Sequence, residues 1–283
     1  MTATRRRGPD WLLNGYAGLA LIYLLVPIAV IVVFSFNDPV GRFNFIWQAF
    51  SLDAWKHPFA VQGVQDALKT SLEIAALSTL IATALGTLTA LALVRYEFKG
   101  RSPINFFIFI PLATPEVVLG AALLSQFLNW GSPQLGFATI LIAHVMFNLS
   151  FVVITVRSRL IGFDRSLEEA AQDLGATPWE TFRLVTLPLI MPGVVSAALL
   201  AFALSIDDFV ITNFNSGSTI TFPLFIWGAA RVAVPPQIYV IATMIFLFTV
   251  AMMIITVWQQ RRAERMAAVR SDEPELALEP APA

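Results

Sequence analysis

Apolar and polar residues come in blocks along this chain rather than in alternation. Six long apolar stretches lie near residues 11–36, 68–94, 104–129, 137–156, 189–212 and 237–258, separated by shorter polar connections. Continuous apolar runs of this kind predict helices rather than barrel strands, and each is long enough to cross a hydrocarbon core of about 30 Å. A helix also satisfies its own backbone hydrogen bonds, as lipid requires. The pattern therefore predicts an all-α polytopic membrane protein with six transmembrane helices. The first apolar core, of about 20 residues, lacks a small-x-small cleavage site and reads as a retained span.

Composition agrees. The 283 residues are 57% hydrophobic and 13% charged, against about 25% charged in a typical soluble domain. A net charge of −1 gives no reason to expect nucleic-acid binding. Cysteine is absent, which excludes disulfides, thiolate metal sites and a cysteine nucleophile. No cofactor is expected.

Basic residues set the orientation. Arg5, Arg6 and Arg7, then Arg95, Lys99 and Arg101, then Arg157, Arg159, Arg165 and Arg183, and finally Arg261, Arg262, Arg265 and Arg270 would share one side. They make up fourteen of the 18 lysines and arginines; Arg42, Lys56 and Arg231 fall opposite, and Lys69 lies at a boundary. The positive-inside rule then puts both termini in the cytoplasm. The outer connection 37–67 carries Phe43, Phe45, Trp47, Phe50, Trp55 and Phe59, read as interfacial anchors, with ligand stacking as the alternative. From Ser271 the acidic, Pro-rich "SDEPELALEPAPA" reads as disordered. Ala82, Gly86 and Ala90 form a small-xxx-small stripe, suited to close helix packing.

One cytoplasmic stretch, "EEAAQDLGATPWETFRLVTLPLIMP" at residues 168–192, is polar where its flanks are apolar. Ser166 and Glu169 have capping-box spacing, and Thr177 and Glu180 repeat it around Pro178. Leu167, Ala170, Ala171 and Leu174 follow helical periodicity, and Gly175 is placed to end that helix in the left-handed conformation. Two short helices joined by a sharp turn are predicted. Periodicity alone leaves open whether they lie on the membrane or dock into a protein groove.

Glu169-Ala170-Ala171, Gly175 and Leu187-Pro188 at their spacings resemble the EAA motif of ATP-binding-cassette importer permeases, with Val185 in place of the usual isoleucine. "TSLEIAALSTLIATALGTLTALALVRYEFKGR" resembles the opening of that permease core. "VRSRLIGFDRSLEEAAQDLGA" and "LSIDDFVITNF" are similar to the second permease subunit of spermidine/putrescine importers. The resemblance implies a type I importer permease fold in a bacterial inner membrane. Its expected parts are a first span and outer connection (1–67), a permease core (68–258, with the EAA loop near 164–188) and a tail (259–283). It also implies that Glu168, Glu169, Ala170, Ala171 and Gly175 form a coupling helix. The implied partners are a cytoplasmic ATPase dimer, a second permease subunit and an extracytoplasmic solute-binding protein. Related permeases carry iron, sulfate, opines or amino-acid-like cations.

Acids within apolar segments are candidate substrate contacts, because an ionised carboxylate there costs about 2.5–3.5 kcal/mol on insertion scales. Asp207 and Asp208 are expected about 30 Å along the fifth span from Pro188, near its outer end. Glu73 lies in the outer part of the second span. Glu116, in "PLATPEVVLG", lies about 18 Å into the third, where Pro111 and Pro115 loosen the backbone. These acids, with Phe209, Phe214, Phe222, Phe225 and Trp227 near the outer mouth, suit a polycation. Headgroup-level placement or pairing with another subunit is the alternative. His144 reads as a packed, hydrogen-bonded histidine rather than a metal ligand. "GVQDALKT" resembles a P-loop but has Leu68 at the second glycine position. A secondary carrier would show paired repeats, and an intramembrane enzyme a catalytic constellation. Adjacent Asp207 and Asp208 point about 100° apart on a helix and make a poor aspartyl dyad.

Overall fold

A computed structural model describes residues 10–41, 43–131, 133–162, 164–232 and 234–271. Arg5, Arg6, Arg7, Arg42 and the acidic tail beyond Ser271 lie outside them. The helices are α1 (Asp10–Phe34), α2 (Asp53–Lys56), α3 (Val64–Arg95), α4 (Arg101–Ala113), α5 (Glu116–Trp130) and α6 (Phe137–Ile161). They continue as α7 (Ser166–Asp173), α8 (Pro178–Thr181), a π-helical turn (Phe182–Thr186) and α9 (Leu187–Ile206). The last three are α10 (Val210–Asn215), α11 (Phe222–Val232) and α12 (Pro236–Ser271). Among the described residues there is no strand, only the isolated bridges Asn37–Phe50 and Phe43–Val234.

Among the described residues, four stretches are long and apolar enough to cross a membrane: Trp11–Phe34, Val64–Arg95, Phe137–Ile161 and Pro178–Ile206. The expected third span is not one straight helix. It is α4 and α5, bent by 113°. Thr114 is extended there (φ −87°, ψ 130°), because a residue before proline is pushed out of the helical region and Pro115 supplies no backbone donor. Counting that pair as one gives five spans among the described residues, and α12 runs as a helix through the sixth expected apolar stretch, 237–258.

The fifth span also differs from its expected limits. It begins at Pro178 rather than near 189 and stops at Ile206 rather than 212. The polar α8 runs directly into α9 through the π turn, where Leu187 N–H reaches Phe182 O. Pro188 crowds the carbonyl four residues before it, and a wider turn at that place relieves the conflict without ending the helix.

Two compact units are present, residues 62–231 and residues 1–61 with 232–283. In the first, α3, α6 and α9 enclose an apolar core of Ala82, Ala90, Leu93, Val152, Val153, Val156, Leu160, Ile190, Ala197 and Ala201. The small stripe allows it. A Cβ on Gly86 would lie 2.6 Å from Val152 Cγ1, so α3 and α6 meet at a distance that only glycine permits. A second cluster joins Leu119 of α5, Ala143 and Phe147 of α6 and Ile211 of α10.

In the other unit the aromatic connection folds around Asn37. Its amide donates to Asn44 Oδ1 at 2.6 Å and Ile46 O at 2.8 Å, and its oxygen accepts from Gln48 N at 2.7 Å. Phe36 stacks on Phe50 and Trp55, and Trp55 Nε1 donates to Ser35 Oγ at 3.2 Å. Part of this aromatic set therefore holds the loop together.

Candidate coupling surface and transport acids

The turn after α7 has the geometry that the Gly175 spacing predicts. Gly175 adopts φ +90°, its N–H reaches Gln172 O at 2.9 Å, and Ala176 N–H reaches Ala171 O at 3.1 Å. These two bonds are the Schellman pair that satisfies the last carbonyls of a helix. The next helix opens on the predicted capping box: Glu180 N–H donates to Thr177 Oγ1 at 3.3 Å, and Thr177 N–H to Glu180 Oε2 at 2.8 Å, with Pro178 at the first position.

The start of α7 departs from the sequence reading. Ser166 and Glu169 do not form a capping box. Helical bonding begins one residue earlier, from Arg165 O, so Ser166 falls inside the first turn and its own N–H needs an acceptor. Asp164 Oδ1 supplies it at 2.9 Å. That N–H, and the Ser166 side chain after it, hold the Asp164 carboxyl below its ordinary range.

No residue of α7 is buried. Ala170 is exposed and Ala171 half-buried, while Leu167, Leu174, Trp179 and Leu184 present apolar surface away from the chain. The two glutamates part company. Glu169 is exposed and faces Arg165 at 3.8 Å. Glu168 has a side chain only 13% exposed, with Oε1 accepting from Arg95 Nη2 at 2.6 Å and also from Thr186 Oγ1. Nothing in the local sequence signals this link, since Arg95 is 73 residues away.

Asp207 and Asp208 differ as sharply. Helix α9 ends at Ile206; Asp207 is its C-cap and is exposed. Asp208 turns inward, its side chain 8% exposed. Its Oδ2 accepts from Thr212 N and Thr212 Oγ1, each at 2.8 Å, which fixes the first turn of α10. His144 Nε2 lies 3.3 Å from the same oxygen and 2.9 Å from Thr212 Oγ1. His144 Nδ1 meets Ser205 Oγ at 2.7 Å, and Ser205 meets Ser78 at 3.0 Å. Because Thr212 donates its hydroxyl proton to Asp208, its oxygen is left to accept, so His144 Nε2 carries a hydrogen. Helices α3, α6, α9 and α10 thus meet at one buried polar knot. His144 is the packed histidine expected, but its partners were not readable from its surroundings in the chain.

The remaining acids stand apart. Glu73 is exposed and pairs with Lys69 on its own helix at 3.8 Å. Glu116 is the exposed first residue of α5, just past the bend. Among the described residues no hydrogen bond or ion pair joins either to the knot. Trp227 is 50% exposed, with Phe209 at 5.0 Å between ring centroids and the Arg231 guanidinium 4.9 Å from its ring.

Residues 82–265 match the family model described as the binding-protein-dependent transport system inner membrane component. The chain is 37% identical over 242 residues to the spermidine/putrescine transport system permease protein PotC of Escherichia coli K12, spanning 85% of this chain and 90% of that one. It is 38% identical over 235 residues to the putrescine transport system permease protein PotI of the same organism, spanning 80% and 83%. Among solved structures, one of a bacterial ABC transporter involved in the import of the acidic polysaccharide alginate superposes with a TM-score of 0.63 at 18% identity, over 90% of this chain and 96% of that one. An amino acid ABC transporter superposes with a TM-score of 0.55 at 19% identity, over 70% and 93%. This chain belongs to the binding-protein-dependent transport system inner membrane component family, the permeases of ABC importers.

Proposed function

We propose that this chain is one permease subunit of a polyamine importer. The observation that carries the substrate class is near-full-length similarity to two permeases that are both named for polyamine transport. In this reading α1, α3, the bent α4–α5 pair, α6, α8–α9 and α12 make six crossings, with both termini and α7 in the cytoplasm. The ATPase dimer docks on the exposed side of α7, against Glu169, Ala170, Ala171 and the Gly175 turn. A second permease subunit completes the pathway, and a solute-binding protein delivers substrate from outside.

Asp207 is the acid suited to meet an ammonium group: it is exposed, two residues from Phe209, whose ring lies against Trp227. The Arg231 guanidinium rests over that indole by cation–π contact. Asp208 is spent on Thr212 and His144 and serves the fold.

The test is the importer reconstituted in proteoliposomes, with its second permease, ATPase and binding protein, assayed with labelled putrescine and spermidine. ATP-dependent uptake of either is expected; ATP-dependent uptake of some other solute with neither polyamine carried would overturn the assignment. D207N is expected to lower uptake about tenfold, the worth of about 1.4 kcal/mol of lost charge complementarity. Assembly should be unchanged.

A further inference from the structure

We infer that Glu168 is a positioning residue that ties the docking helix to the membrane helices, and that this tie carries ATPase motion into the bundle. The inference rests on the docking role proposed for α7.

Consecutive residues on a helix point about 100° apart, so Glu168 and Glu169 cannot serve the same surface. Glu169 points outward and is 68% exposed by its side chain. Glu168 points into the chain, where its carboxylate takes one donor from the last residue of α3 and a second from the last residue of the π turn that opens α9. Both partners are well covered: the Arg95 side chain is 14% exposed, and Thr186 is buried. A charge-assisted bond in such surroundings is stronger and more directional than one in open water.

The packing makes this contact matter. No apolar side chain of α7 is fully buried, so apolar packing alone does not fix its position. Beside its two chain connections, a load applied to its exposed side therefore reaches the bundle through the Glu168 carboxylate. It arrives at the ends of α3 and α9, two of the three helices that enclose the core. The π turn fits the same purpose. Its wider winding sets Thr186 facing α7, and its hydroxyl bridges from the span to the carboxylate.

The experiment uses the full reconstituted importer with E168Q, T186V, R95E and the exchanged pair E168R/R95E. Three quantities are measured: ATPase co-purified with the permease, ATP hydrolysis, and putrescine carried per ATP hydrolysed. Expected for E168Q and T186V is normal co-purification with about a tenfold fall in putrescine carried per ATP, the factor that one charged hydrogen bond commands. The exchanged pair should regain at least part of that ratio over R95E alone. An unchanged ratio in both E168Q and T186V would overturn the inference. So would a loss confined to the amount of assembled complex, which is what a merely structural contact would give. A separate variant, A170W, adds bulk to the exposed side. If the ATPase still co-purifies with A170W at the normal level, the docking reading itself fails, whatever Glu168 does.

Discussion

Asp207 and Asp208 are neighbours in the chain with opposite surroundings, and the consequence can be measured. Asp208 closes a buried knot with His144, Thr212, Ser205 and Ser78. Replacing His144 by alanine leaves Ser205, Thr212 and Asp208 short of a partner. That should cost about 1–3 kcal/mol for the unsatisfied group, read as a lower melting temperature in detergent. D207N should melt like the wild type. A second residue-scale expectation concerns pH. Asp164 accepts from the Ser166 N–H, and its carboxyl lies below its ordinary value of 3.8 in the folded chain. A depressed carboxyl stabilises the fold above its ordinary pKa, and that contribution disappears as pH falls through the folded value. Amide exchange across Ser166–Glu169 should therefore be faster in D164A than in the wild type near neutral pH. The two should converge under acid conditions below that range; a difference that persists there would remove the capping role.

At the scale of elements, two glycines do different work. Gly175 sits at φ +90° in the Schellman turn, with open space where a Cβ would point. G175A should cost about 1–2 kcal/mol from conformation alone, loosening the α7–α8 turn while the membrane helices stay intact. Hydrogen exchange limited to that turn would show it. Gly86 adopts an ordinary helical conformation but has no room, with Val152 Cβ at 2.8 Å from the site of an added Cβ. G86A should destabilise by about 1–3 kcal/mol through overpacking, and adding V152G, which removes both close atoms, should cost less than the sum of the two single changes, as thermal melts of the three variants would read. Strict additivity would mean that the contact between the two positions does not carry the loss.

For the whole molecule, the block pattern was enough to read helices, a membrane class and a polar insertion between spans. A lipid-facing helix must be apolar along its length, and that constraint is local. The Gly175 turn and the Thr177 cap were readable for the same reason, since each is closed by residues within five positions of one another. What could not be read depends on distance in the chain. Glu168 meets Arg95 and Thr186, and His144 meets Asp208, across intervals of 73, 18 and 64 residues; each of these pairs exists because separate helices are brought together. The Ser166 box failed through a competition that spacing does not reveal, because Asp164 reached the orphan N–H from the residue pair before it. The bend at Pro115 was half legible. Proline predicts a weakened backbone, but the 113° angle belongs to the way α5 seats against α10 and α6. By itself the sequence determined where helices form, which stretch is displayed and which family the chain resembles, since these follow from local bonding and hydropathy. The tertiary structure alone decided which glutamate is exposed and which is held, and which aspartate is open and which is buried, because a side chain's chemistry is set by what the fold places beside it.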